Sequence, residues 1–389
     1  MKHETQVRLI HDIFRALERG TPPMTERFSQ NDVSVYTSPA WAACEREVLF
    51  RQYPLVVGFS SQLPKPGDFL TEDFTPVPIV VVRSAAGELR AFANICRHRG
   101  AKLVTGCGGG LSRFNCPYHG WSYDGEGRLR VIPDEYGFAG LDRQAHALIA
   151  LPVAEKYGLI WVQPTPGLPL QIDDLLSGLG EDLDSYGVAS FAHQETRIVR
   201  RQMNWKIVSD TFWEAYHIKV LHANNIAPLF ARNLALFDAF GRNHRFIGVR
   251  NSIEQLRTQP ESEWDLVPHA TILMKLFPNT VYLMQKDHAE VYRIFPVADR
   301  VNESVTAVSI LAPESGPQWT RTMELLMGVV EQDFTVGENI QRSFESGAIT
   351  HVNYGRFESA LAHFHHSIRE AVETTSTPNG NGSLSLSGA

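Results

Sequence analysis

Cysteine is scarce in this chain, 4 residues in 389. Four thiols cannot staple a protein of this size, so a disulfide scaffold is excluded, and any cysteines that cluster point instead to metal ligation or catalysis. Positive charge is also in short supply. With 36 basic against 43 acidic residues the formal charge is −7, which offers no broad basic surface to nucleic acid or anionic lipid. No apolar run approaches the roughly 18 residues of a membrane span, and the opening MKHETQVRLIHDIFRALERG carries charges throughout, unlike a secretory signal. A cytoplasmic protein with neither membrane nor nucleic-acid partner is expected. The scattered Gly and Pro and the lack of any long heptad exclude collagen-like and coiled-coil classes.

Imidazole, by contrast, is plentiful, with 15 histidines to the 4 cysteines. The length suggests two or three domains at about 150 residues each. Val7, Leu9, Ile10, Ile13, Phe14 and Leu17 fall at helical spacing before the breaker Gly20-Thr-Pro-Pro, so a helix is predicted over 4–19, and a second over about 39–50. From 54 to 165 short β-branched and aromatic runs (PLVVGFS, IVVVRS, GELRAFAN, GLIWVQP) alternate with turns at Asp124-Gly125 and Gly108-Gly-Gly, which predicts a small all-β domain. Beyond 170, helices predicted over 203–221 and 319–345 flank the strand-like ILMKLFP, VYLMQKD, EVYRIFPV and SVTAVSILAP, a grouping that implies α+β. A last helix is predicted over about 355–374. The Ser/Thr/Gly/Asn-rich end TTSTPNGNGSLSLSGA has too few apolar groups to anchor it and is expected to be disordered.

Two short segments group the thiols with imidazoles. Cys96-Arg-His98 and Cys116-Pro-Tyr-His119 are separated by 17 residues. Two thiolates and two imidazoles can close a tetrahedral zinc site, or hold a [2Fe-2S] cluster with both thiolates on one iron and both imidazoles on the other. A C2H2 zinc finger groups its cysteines together and its histidines together, whereas each segment here offers one of each, as the mixed ligand set of a Rieske cluster requires. Cys44, in the apolar run WAAC, is expected to be a core thiol, and Cys107 a bystander in a Gly-rich loop. Arg97, Arg99 and Lys102 make the cluster edge basic, which can attract an acidic electron donor or simply reflect solvated loop charge.

A second group lies in NWKIVSDTFWEAYHIKVLH, residues 204–222. His217 and His222 are five apart, roughly 140° round a regular helix, so they can share a metal only if the helix ends or bulges between them. By spacing alone, such a pair is more often two unrelated core or surface histidines. Glu214, three residues before His217, can hydrogen-bond the imidazole nitrogen that a metal would leave free. Asp210 can orient Glu214 or Tyr216, or simply sit on the helix surface. His363, His365 and His366, spaced two and one apart, cannot converge on one metal and read as surface or packing residues.

The string CRHRGAKL…CPYHGWSYDGEGRL resembles the Rieske domain of ring-hydroxylating oxygenases, and Asn204-Trp-Lys followed by Asp210, Glu214, Tyr216-His217 and His222 resembles the iron-binding segment of their α subunits. Together the motifs extend the resemblance over about 40–370. Respiratory Rieske proteins carry an extra cysteine after each pair; here Ala101 and Tyr118 stand in that neighbourhood, so a potential near the low end of the Rieske range, about −150 mV, is expected. The resemblance implies an all-β [2Fe-2S] domain and a helix-grip catalytic domain with an antiparallel sheet and flanking helices. It divides the chain into N-terminal helices packing on the catalytic domain (1–45), a Rieske domain (46–168), a catalytic domain (169–374) and a disordered tail (375–389).

It further implies that Cys96, His98, Cys116 and His119 hold the cluster, that His217 and His222 bind a mononuclear Fe(II), and that a downstream aspartate completes the site. Asp333, in EQDFTVGENIQRSFESG, is the candidate, with Glu331 as the fallback. Two imidazoles and one carboxylate on one face of iron leave positions open for dioxygen and substrate. In the family, the acidic residue at 214 bridges this histidine to a cluster histidine of the neighbouring subunit, here His119; Glu is one methylene longer than the usual Asp. The implied assembly is a head-to-tail homotrimer, with or without a small β subunit, fed from NAD(P)H by a reductase or ferredoxin. Apolar residues beside the ligands, Phe212, Ile226, Leu229, Phe230 and Leu276, are the candidate pocket for an aromatic or alicyclic substrate, or they are simply core. The expected reaction is hydroxylation of a hydrophobic ring, with cis-dihydroxylation as the first reading and monohydroxylation or oxidative demethylation as the alternative. A Rieske electron-transfer protein without an oxygenase site is the competing class.

Overall fold

A computed structural model describes residues 1–375 of the chain, with side chains to 374. The predicted tail therefore lies outside the described residues, apart from Thr375, which ends the last helix. Among the described residues no helix is long and apolar enough to cross a membrane.

The predicted N-terminal helices form at His3–Arg19 and Pro39–Val48. The first ends in a left-handed Gly20, the conformation a helix C-terminus favours. The second starts from Ser38, whose side chain accepts from the Trp41 N–H, and carries Pro39 at its first position. The β region builds three small antiparallel sheets. One is five-stranded and centred on Ile79–Arg83; one pairs Val153–Lys156, Leu159–Val162 and Leu55–Phe59; one runs Arg113–Asn115, Ser122–Asp124, Leu129–Val131.

The second half is a seven-stranded antiparallel sheet. Its order is Ala192–Arg201, Arg300–Ala312, Ala289–Val297, Thr280–Met284, Ala270–Leu276, Asn243–Arg250, Phe230–Phe240. Three of these strands, at 192–201, 230–240 and 243–250, were not anticipated from the sequence. The four runs named in advance are its central strands, and nearly every residue in three of them is buried. The 28-residue helix Gln318–Glu345 and the C-terminal helix Ser359–Thr375 lie against it. The C-terminal helix begins four residues later than its pattern suggests, because Glu358 accepts from the Gly355 N–H in a turn just before it.

One predicted element is corrected. Residues 203–221 do not form one helix but two short ones, Trp205–Asp210 and Ile218–Leu221, joined by a non-helical Thr211–His217. Asn204 caps the first by accepting from the Lys206 N–H. Its end follows from packing. Trp213 is drawn fully into the core with its indole N–H on Ser209 Oγ at 3.1 Å, and the N–H groups of Phe212 and Trp213 turn back to carbonyls three residues earlier.

The segment is held from beneath by a buried carboxylate. Glu45, from the second N-terminal helix, accepts from Lys206 Nζ at 2.7 Å, Trp205 Nε1 at 2.9 Å and Trp41 Nε1 at 2.7 Å. Burial pushes the Lys206 amine down, with Glu45 opposing the shift. Removing one member of such a pair leaves an uncompensated charge and two orphaned indole N–H groups. Glu45→Ala is therefore expected to lose about 3–5 kcal/mol, read as a lower midpoint of chemical denaturation than Glu45→Gln, which keeps an acceptor.

Candidate iron centres

The two cluster loops have the same construction. In each, the cysteine carbonyl accepts from the N–H of a glycine four residues on (Gly100, Gly120; 3.0 Å), and the cysteine N–H bonds the carbonyl of the residue after it, Ala101 or Trp121 (2.8 Å). Both glycines have φ above +70°, which a side chain would resist. The loops bring His98 and His119 to a ring separation of 4.6 Å, with His98 stacked on Trp121. Cys96 and Cys116 are buried beneath them and form no disulfide. Tyr123 supports the floor, its hydroxyl 3.5 Å from Cys96 Sγ and accepting from the Arg97 N–H.

The donors fit a mixed-ligand cluster. His98 Nδ1 is buried with no hydrogen-bond partner, a costly state for a polar atom unless a metal takes its lone pair. Burial, with His119 beside it, holds His98 low and so neutral, the form that ligates. Burial also raises the Cys96 thiol, a cost that binding iron offsets. The three basic residues expected at this edge are already engaged: Lys102 with Asp73 at 2.9 Å, Arg97 with the Ala145 carbonyl, Arg99 over the Tyr118 ring. Cys44 is half-buried against the core rather than within it, and Cys107 lies exposed on a two-residue strand.

His217 and His222 flank the four-residue helix Ile218–Leu221: His217 leads into it with helical dihedrals, while His222, at φ −102° and ψ 24°, stands where the helix has ended, and the two ring centroids are 5.3 Å apart. The long helix brings Asp333 to them across more than a hundred residues. One atom of each, the two Nε2 nitrogens and Asp333 Oδ1, lies within 4.8 Å of the others, at 3.6 and 3.0 Å from the carboxylate to His217 and His222. Both Nδ1 atoms are committed elsewhere. His217 Nδ1 donates to Glu214 Oε1, and His222 Nδ1 donates to Gln332 Oε1 at 2.8 Å. The Nε2 lone pairs therefore face a carboxylate oxygen with no proton of their own between them, an arrangement a cation resolves.

Burial alone would lower the His217 imidazole, but Glu214 and then Asp333 outweigh it and hold it above its ordinary value. Glu214 manages this without a helical i,i+3 relation: its carboxylate also takes the backbone N–H groups of Tyr216 and His217, so the turn itself aims it.

One expectation fails here. Asp210 orients neither Glu214 nor Tyr216; it accepts from Tyr36 Oη at 2.7 Å and pairs with His365 Nε2 at 2.8 Å. Of the two readings of His365, surface or packing, the structure takes the second: it is a buried polar partner. The fallback Glu331 points away, paired with Arg201. Gln332, which the sequence reading passed over, is the residue that orients His222; its only signal was adjacency to Asp333 on the helix.

A cavity of about 310 Å³ opens beside the triad. Phe212, Ile226, Leu229 and Phe230 line it as expected, together with Phe246, Leu273, Leu283 and Tyr292. Leu276 does not. Along Ala270–Leu276 the odd positions Thr271 and Leu273 face the cavity, and the even ones, Leu276 included, enter the core on the other face. A second cavity of about 250 Å³, walled by Asp210, Glu214, Leu221, Tyr354 and Glu358, meets His217 and Asp333 from the opposite side.

A cluster-binding β domain joined to an open two-His-one-carboxylate site on an apolar cavity defines an iron-dependent oxygenase. Residues 53–142 match the Rieske [2Fe-2S] domain, and residues 188–374 the ring hydroxylating alpha subunit catalytic domain. The chain is 27% identical to the glycine betaine monooxygenase oxygenase subunit of Chromohalobacter salexigens over 82% of its own length and 80% of that protein. It is 33% identical to the biphenyl 2,3-dioxygenase subunit alpha of Rhodococcus jostii, over 49% of this chain and 43% of that one. The fold superposes on a quaternary ammonium Rieske monooxygenase with a TM-score of 0.78, covering 90% of this chain and 97% of the other at 22% identity. On naphthalene 1,2-dioxygenase the TM-score is 0.70 at 18% identity, over 88% and 92%. The chain belongs to the Rieske ring-hydroxylating oxygenase α-subunit family.

Asp333→Ala is expected to lower iron from three to two per chain while leaving the visible absorption of the cluster intact; metal analysis beside the optical spectrum checks both. Cys116→Ser should abolish that absorption.

Proposed function

We propose that this chain is the terminal component of a multicomponent oxygenase that inserts oxygen from O2 into a small substrate with an apolar body. In this reading His217, His222 and Asp333 hold a ferrous iron, and Cys96, His98, Cys116 and His119 hold the cluster. The observation that carries the reading is the convergence of the three donor atoms on the wall of the 310 Å³ cavity. When bound, the cluster supplies single electrons and the iron supplies a centre at which dioxygen is activated. The protein's own part is positional. Glu214 and Gln332 hold the imidazoles in the tautomer that turns Nε2 inward, while Phe212, Phe230, Phe246 and Leu283 exclude water and orient the apolar body.

Electrons come, we infer, from NAD(P)H through a reductase or ferredoxin. The assembly is a head-to-tail homotrimer in which His119 of the partner subunit approaches Glu214 from the second cavity. The exposed Tyr118 and half-buried His98 and His119 leave the imidazole side of the cluster open for that approach.

Two outcomes fit the site. Dihydroxylation places both oxygen atoms of O2 in an aromatic ring at the expense of NAD(P)H and a proton. Monohydroxylation places one in the substrate and reduces the other to water, and on an N-methyl group the product releases formaldehyde. The second has its own support: a relative aligned over most of the chain is a monooxygenase, and the cavity carries Arg250, whose buried Nε has no partner and whose charge an unsubstituted hydrocarbon would leave unanswered. A substrate screen with a surrogate reductase, following NADH-coupled O2 uptake and product mass, decides between them. O2 uptake that no substrate stimulates would count against the oxygenase site.

Glu214→Gln is expected to retain both metals and a reducible cluster but to turn over about 10–100-fold more slowly. Normal turnover in that variant would remove the bridging role.

A further inference from the structure

The cavity has two unlike ends. The long helix runs along it from Thr322 to Asp333, eleven residues or about 16 Å of helix axis. Asp333 stands at the triad end. At the other, Trp319 packs on His288 with ring centroids 5.3 Å apart, and His288 belongs to the hairpin that carries Gln285, whose N–H bonds the His288 carbonyl at 2.9 Å. The middle is aromatic: Phe212 lies 4.6 Å from Tyr292, and the Phe230 ring rests over Gly248, where a side chain would displace it.

Arg250 sits at the end away from the triad. It shares the cavity face of its strand with Phe246 and Gly248, four and two residues earlier. Its guanidinium uses one nitrogen, Nη2, to donate to Thr271 Oγ1 at 3.1 Å and to Gln285 Oε1. Nε is buried with no partner, and no protein acceptor takes Nη1 among the described residues. The acids nearby are otherwise engaged. Glu290 accepts from Gln285 Nε2 at 3.0 Å and Tyr292 Oη at 2.6 Å, with His288 Nε2 at 3.5 Å; Asp287 pairs with His288 Nδ1 at 2.7 Å. No described carboxylate lies within ion-pair distance of Arg250. A half-buried guanidinium left this way is an unusual expense unless something anionic completes it.

We propose that Arg250, held in place by Gln285 and Thr271, receives the carboxylate of a substrate whose apolar body extends along the aromatic middle of the cavity to the triad. Gln285 is the positioning residue: accepting from Arg250 at Oε1 and donating to Glu290 at Nε2, it keeps the guanidinium and the carboxylate apart and leaves Nη1 free to bond the ligand. The proposal uses the oxygenase reading only to say which end of the substrate reacts.

Matched pairs of ω-phenylalkanoic acids and their primary amides, with two to five methylenes, test it by calorimetric titration of the iron-loaded protein. The acids are expected to bind at least about tenfold more tightly than the amides. Arg250→Gln should remove that preference by weakening the acids alone, and Arg250→Lys should restore part of it; the visible spectrum of the cluster verifies that both variants are folded. Equal binding of acids and amides, or an Arg250→Gln variant that weakens both alike, overturns the proposal. The two readings fail separately: unchanged iron content in Asp333→Ala would overturn the triad and leave the carboxylate preference standing.

Discussion

Three lone pairs turned toward one point cannot be left empty-handed in a protein interior, and most of the catalytic domain is arranged to keep them there. Two imidazoles lie on a short loop-bound helix and the carboxylate on another helix more than a hundred residues later. Nothing local holds these together. The long helix reaches the loop because Gly337, one turn past Asp333, lets it pack directly on Met203 and Ile207; a Cβ there would meet the Met203 sulfur at 2.5 Å. The loop in turn is pinned by Trp213 in the core and by Lys206 on Glu45. Packing and charge compensation thus set a metal geometry that no single segment encodes.

The same constraint separates the functions of the two sides of the triad. Toward the sheet, alternate residues of four strands face a cavity that is apolar in the middle and polar at its far end, so a substrate can be oriented along its length. Away from the sheet, Glu214, Asp210 and Glu358 make a smaller, acidic cavity, in which burial keeps the Glu358 carboxyl above its ordinary value. Asp210 is tied there to Tyr36, Tyr354 and His365 through a run of buried hydrogen bonds. That run joins the N-terminal region, the loop and the C-terminal helix behind the site, which gives the three a shared stake in the position of His217.

Legibility from the sequence tracked the range of the interactions. The cluster ligands fall within 24 consecutive residues, and their loops are built from local hydrogen bonds and two left-handed glycines, so spacing alone carried the ligand type. His217 and His222 were legible as a pair with a condition attached, a helix that ends or bulges between them; the fold meets it at the far end, where the helix Ile218–Leu221 stops just before His222. Leu276 was misplaced because composition does not reveal strand parity; a neighbouring strand does. Asp210 and His365 were read separately since they stand 155 positions apart in the chain. The three strands missed at 192–201, 230–240 and 243–250 include both sheet edges, where a half-exposed strand mixes Arg, Asn and Asp with apolar residues and its alternation is hard to read.

The sequence by itself determined the kinds of donor, their order along the chain and the grouping into two candidate iron centres, because each candidate ligand pair is a short-range pattern and resemblance to a family supplied the candidate third ligand. Tertiary structure decided which nitrogen of each imidazole faces inward, which face of the sheet becomes the cavity, and that Arg250 has no carboxylate partner among the described residues. Those depend on where distant groups stop relative to one another. That is a matter of packing and of which buried polar atom finds a partner, and neither is written in any one stretch of residues.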